Sequence, residues 1–215
     1  MTRWLTIALA FALIAAVAIA REANLGSQTV TWDAARSSAW AAYVLLWLAA
    51  FTGIGVSLKY HPGVQGQLQT LEMHRVAGSL ALAYTIVHVG ALLLDSYIDF
   101  APWHALLPLT SPYRPVPVAA GVVATWLLLA VVLSTWFAGF IPRKTWHRLH
   151  RVGYAAFALG LVHGVAAGSD TDQWPTHLLY TATAASVIGA AYLRFLARDW
   201  VAAHRNRPQF PDRVP

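Results

Sequence analysis

Apolar residues in this chain come in long runs rather than with the short period of a half-buried helix or strand. A bilayer core about 30 Å thick takes about 20 apolar residues per helix. Windows of that length select six stretches, residues 4–20, 39–58, 76–94, 118–141, 149–167 and 177–197. The polar segments between them (21–38, 59–72, 95–117) and the tail 198–215 are too short to build a separate soluble domain. The pattern predicts an all-α fold, a polytopic membrane helical bundle of six transmembrane helices forming one domain over residues 1–215. The first stretch follows Arg3 and ends Ala18-Ile19-Ala20, the form of a signal peptide with a small-residue cleavage site. Its run of about seventeen is longer than a usual signal-peptide core, so the expectation is a retained helix.

Composition strengthens the membrane assignment. Only 11% of residues are charged and 58% are hydrophobic, against roughly 25% charged in soluble domains. The charges that remain are sorted. With a cytoplasmic N-terminus, Arg3, Lys59, Arg75, Arg143, Lys144, Arg148, Arg151, Arg194, Arg198, Arg205, Arg207 and Arg213 fall inside, and Arg21, Arg36 and Arg114 outside. This is the positive-inside pattern, and it predicts both termini in the cytoplasm and a multi-pass protein of the inner (plasma) membrane. The net charge of +6 is accounted for by anionic lipid headgroups and implies no nucleic acid.

The candidate chemistry lies in histidine. There are nine, as many as Asp and Glu together, and no cysteine. Thiolate metal sites, disulfides and cysteine nucleophiles are thereby excluded. His74 lies just at the entry to the third stretch and His88 fourteen residues on, within it, which on a helix is a rise of about 21 Å and a turn only about 40° short of four full revolutions. His150 and His163 are thirteen apart in the fifth, a rise of about 19.5 Å. Both stretches run from inside to outside, so His74 is level with His150 and His88 with His163. Two facing imidazole pairs at two depths suit two bis-histidine haem irons. Arg75, Arg148 and Arg151 lie beside the inner pair, where haem propionates need cations. Ala77, Gly78, Gly153 and Gly164 leave room for a flat macrocycle. One angle resists: His150 and His163 stand about 140° apart on an ideal helix, which asks for a π-bulge or a loosening near Gly153 or Gly160. His147, about 160° from His163, is the fallback ligand.

The segments "MHRVAGSLALAYTIVH" and "WHRLHRVGYAAFALGLVHG" resemble the ferric-reductase-like transmembrane domain, over roughly residues 39–196. That family includes NADPH oxidases, eukaryotic ferric reductases, STEAP-type metalloreductases and the haem subunit of the bacterial periplasmic methionine sulfoxide reductase. The resemblance implies two haem b groups, the inner bound by His74 and His150 and the outer by His88 and His163. It also implies a transmembrane oxidoreductase carrying electrons from a cytoplasmic donor to ferric iron or a periplasmic redox partner. Many members continue into FAD- and NADPH-binding domains, but only eighteen residues follow the sixth stretch here, without a Gly-rich fingerprint. The expected donor is therefore a partner, either a flavin reductase or other electron-donor protein, or a quinol. Rival readings are a haem-bearing subunit of a larger respiratory or photosynthetic complex and a transporter or channel with buried histidines.

Other residues carry weaker expectations. Phe157 and Tyr84 fit aromatic packing better than an electron path. Trp32, Trp103, Trp146, Trp174 and Trp200 fit an interfacial belt. Asp170 and Asp172 suit a helix N-cap better than a ferric site. His104 and His177 read as surface histidines, and His61 and His204 carry no argument. No catalytic side chain is expected.

Overall fold

The computed structural model describes residues 28–58, 63–95 and 100–197. Every element among them is helical. These are α1 (Gln28–Leu58), α2 (Gly63–Leu94), α3 (Pro102–Leu106), α4 (Pro115–Trp136), a 3₁₀ turn (Ala138–Phe140), α5 (Arg143–Arg151), α6 (Gly153–Ala167) and α7 (Trp174–Leu196). Four helices are long and apolar enough to cross a membrane: α1 from Val30, α2 from Gly66, α4 and α7. Between 11% and 33% of each apolar window is buried inside the protein. Large apolar side chains face outward, among them Phe140, Ile188 and Leu193 at 88%, 69% and 60% exposed, as on a surface that lipid covers.

The predicted stretch 4–20 lies outside the described residues. The stretch 149–167 is corrected: the chain is divided at Val152 into α5 and α6, and α6 alone has fifteen residues. Val152 donates to the Leu149 carbonyl at 2.9 Å, and Ala156 to Val152 at 3.0 Å. The departure from ideal winding thus lies beside Gly153, as a tightened i→i−3 turn and not a π-bulge. Helices α1 and α2 begin earlier than the apolar windows, because those windows register only the hydrocarbon-length part. In the first turns of α1, Ser37 and Ser38 return their hydroxyls to the carbonyls of Asp33 and Ala34, which lets polar residues continue the helix.

Two antiparallel pairs build the bundle. In α1 and α2, Thr31 meets Asp95 at one end and the Ala49 carbonyl meets His74 toward the other. Small buried residues (Ala35, Ala49, Ala77, Ala91) let these backbones approach closely. In α4 and α6, Gly121 lies against His163 and Val131 against Gly153. Helix α7 runs parallel to α1, joined by Tyr43 to Thr183 and Trp47 to Ser186. The histidine-bearing helices α2 and α6 pack mainly on α1 and α4, and scarcely on each other. Midway along, Ala81, Leu82, Leu128, Val132 and Ala156 close into an apolar cluster.

Ala81 and Ala156 are 0% exposed, so Ala81→Leu overpacks this layer, at a cost of about 1–3 kcal/mol. Tyr43→Phe deletes one interhelical hydrogen bond, of about 0.6 kcal/mol in a membrane bundle, while Thr183 keeps its bond to the Leu179 carbonyl. Unfolding in detergent should rank Ala81→Leu as clearly the more damaging; the reverse order would contradict this packing.

Candidate functional site

Four histidines on three helices meet as two pairs. His74 of α2 faces His150 of α5, with ring centroids 5.5 Å apart and planes at 73°. Their Nε2 atoms are 3.4 Å apart. His88 of α2 faces His163 of α6, centroids 6.3 Å apart at 67°. His147 is exposed, its ring lying edge-on to Trp146 with centroids 4.8 Å apart and its carbonyl accepting from Arg151 Nε at 3.3 Å. The helix division at Val152 is what lets His150 and His163 serve the same side of the bundle.

The second nitrogen of each ring is held. His74 Nδ1 donates to the Ala49 carbonyl at 2.8 Å, His88 Nδ1 to Ala35 at 2.8 Å, and His163 Nδ1 to Pro117 at 2.9 Å. A carbonyl can only accept, so Nδ1 carries the proton in these three neutral rings and Nε2 keeps a bare lone pair. Around His150 the hydroxyl of Thr135 stands 3.5 Å from Nδ1 while donating to the Val131 carbonyl at 2.8 Å. Having given its proton away, that hydroxyl presents a lone pair to His150 Nδ1.

Two glycines form the backs of these rings. A Cβ at Gly121 would stand 2.7 Å from His163 Nδ1, and one at Gly53 3.0 Å from His74 Cε1. Trp146 stacks on His150, with centroids 4.8 Å apart at 22°. Its indole N–H is buried without a hydrogen-bond partner among the described residues.

The pairs differ in their surroundings. A cavity of ≈ 230 Å³ reaches His88 and His163 and is walled mostly by apolar residues such as Leu46, Val118 and Leu128, with Gly121 and Gly160. Arg36 and Asp170 also line it. Arg36 grips Asp170 through Nε at 3.1 Å and through Nη2 at 2.7 Å to both carboxylate oxygens. Hydrogen bonding to Arg36 holds the Asp170 carboxyl below the usual carboxylate range.

Several sequence expectations change. Asp170 neither caps α7, whose N-cap is Gln173 without a side-chain bond, nor offers a free carboxylate to a metal, since Arg36 occupies both oxygens. Asp172 is exposed. Gly78 packs toward Ala49 of α1 and Gly153 toward Val131 of α4, so these glycines serve helix packing. Gly164 lines the cavity beneath Tyr180, and Ala77 is buried. Arg75, Arg148 and Arg151 are exposed. Phe157 packs with Tyr43, Ile54 and Val187, and Tyr84 is half-buried. His104 lies near Thr110 and His177 is exposed, while His61 and His204 fall outside the described residues. Trp103 and Trp174 are exposed, Trp32 lines the cavity, Trp146 backs His150, and Trp200 is outside the described residues. Among the described residues no group of three or more His, Cys, Asp or Glu could hold a metal ion; the histidines come only in twos.

The chain belongs to the family described as a domain of unknown function, DUF8596, whose profile matches residues 30–170. That stretch contains all four paired histidines, with Arg36 and Asp170. No curated protein and no solved structure matches the chain.

Because the Asp170 carboxyl is held low, its bond to Arg36 contributes stability above the unfolded carboxylate value of about 3.9 and loses it as pH falls through the lower folded value. Asp170→Asn should therefore be less stable than the parent at pH 7. The gap should persist to about pH 4 and close only below it, as read by detergent unfolding across pH. A gap that closes near neutrality would contradict this assignment.

Proposed function

We propose that this protein is a ferric-reductase-like membrane cytochrome holding two haem b groups and carrying electrons across the inner (plasma) membrane. The observation that carries this reading is the meeting of four imidazoles as two pairs, with the Nε2 atoms of His74 and His150 3.4 Å apart and the rings of His88 and His163 6.3 Å apart. The Nδ1 hydrogen bonds of His74, His88 and His163 leave each of these rings an Nε2 lone pair for a metal ion.

The residues present fit such a group. His74 and His150 would hold the inner group, their pair opening from the present 3.4 Å between Nε2 atoms to take it, and His88 and His163 would hold the outer. The helices bearing the pair scarcely pack on each other, so opening breaks little helix contact. The orphaned Trp146 N–H beside His150 would meet an acidic edge of the bound group. At the other end the cavity already gives space between His88 and His163. When bound, haem supplies one-electron redox chemistry. The chain's own residues hold the imidazoles at fixed tautomer, keep the sites dry and set the charge nearby.

In this reading six helices cross the membrane, stretch 4–20 being the first and α5 with α6 together the fifth. Both termini are cytoplasmic, so the His74–His150 pair is inner and the His88–His163 pair outer. Arg75, Arg148 and Arg151 sit at the inner headgroup level and would attract the propionates there. The donor is a flavin reductase, another electron-donor protein or a quinol; the acceptor is ferric iron or a periplasmic redox partner.

A reduced-minus-oxidised spectrum of the purified protein should show low-spin haem b at about two per chain, one for each histidine pair. His88→Ala and His74→Ala should each remove one. Gly121→Ala, whose Cβ intrudes on His163, should weaken the outer haem more than Gly53→Ala weakens the inner. A protein without haem absorbance leaves the His74–His150 contact as a plain hydrogen bond and ends the proposal.

A further inference from the structure

We infer that Asp170 positions Arg36 as the fixed cation of the outer cavity, placed to receive an acidic group of the ligand held by His88 and His163 and to set the charge felt there. The inference rests on the haem reading above and adds to it a residue pair that the four histidines do not imply.

Three observations carry it. Among the described residues lining the cavity, Arg36 is the only one with a permanent positive charge and Asp170 the only carboxylate; the remainder is largely apolar. The Arg36 side chain is 41% exposed, so its charge stays hydrated on one side, and what Asp170 supplies is a fixed direction for the guanidinium at the cavity wall. The grip is also incomplete. Arg36 spends Nε and Nη2 on Asp170, whereas Nη1 makes only a long ion pair, 4.0 Å, with the exposed Asp33, beyond hydrogen-bond reach. A guanidinium has five N–H donors, so the Nη1 donors remain for a second anionic group. Finally, the pair joins the first turns of α1 to the loop after α6, so it keeps position relative to both cavity walls, α1 bearing the carbonyl that holds His88 and α6 bearing His163.

A plain staple between α1 and that loop is the competing role, and potentiometry of the intact haem-loaded protein separates the two. A positive charge near an iron favours its reduced form. Arg36→Gln should therefore lower the outer midpoint potential, and Asp170→Asn, which leaves Arg36 only the more distant and exposed Asp33, should raise it. The expected size is about tenfold in the reduction equilibrium, or about 59 mV for one electron, with the inner haem unmoved and Arg36→Lys intermediate. A staple gives shifts of the same sign in both variants, or none, and either outcome overturns the inference. Where Arg36→Gln fails to accumulate, Asp170→Asn decides alone, since a fall or no change is fatal. A wild-type protein without haem removes the parent reading and this inference together, whereas a full spectrum with unmoved potentials removes this inference alone.

Discussion

The structure depends on where each histidine places its Nδ1 proton. A helix inside a membrane has its own backbone bonds satisfied, but a carbonyl keeps a second lone pair. The imidazoles of α2 use this twice on α1, at Ala35 and Ala49, and the imidazole of α6 uses it on α4 at Pro117. The same contacts that lock ring orientation also cross-link the two antiparallel helix pairs. Glycine at 53 and 121 is required where the ring lies against the neighbouring backbone. Helix packing and the direction of the Nε2 lone pairs are therefore one constraint. A change that shifts a ring also shifts a helix interface.

The two ends meet that constraint differently. At His74–His150 the rings touch and are backed by Trp146; at His88–His163 they stand farther apart across a cavity that contains an ion pair. On the haem reading proposed above, the first site would have to open to admit the group, whereas the second already borders a cavity. The cause lies in the helices themselves. α2 runs unbroken past both pairs, whereas its counterpart is divided at Val152 into α5 and α6. His150 is thus carried on a short helix set off from α6, which bears His163.

Much of this was legible in the sequence because hydropathy and histidine spacing are one-dimensional signals. Apolar length located α1, α2, α4 and α7, and the fourteen-residue step from His74 to His88 put both on one face of a straight helix. The misfit between His150 and His163 was legible as a misfit, but whether the helix loosened or tightened was not. That choice depends on how α4 packs against both halves. Helix ends were read short, because polar side chains bonding back to their own helix have no hydropathy signature. The Arg36–Asp170 pair spans 134 positions, and the Gly121–His163 contact joins two helices. Neither leaves a local pattern, and a lone arginine in an outer loop reads as ordinary topology.

Between the two pairs lies the layer that most narrows what this bundle can transmit. Ala81 stands seven residues from each histidine of α2, and with Leu82, Leu128, Val132 and Ala156 it forms a cluster of buried apolar side chains packed by Leu45, Leu46 and Leu127. A proton needs a chain of hydrogen-bonding groups and an ion needs ligands to replace its water; this layer supplies neither, and a bare charge in hydrocarbon is strongly disfavoured. An electron needs only two sites of suitable potential and a short distance through packed atoms. Paired imidazoles on either side of this apolar layer therefore fit the electron carrier proposed above better than a channel or a proton relay.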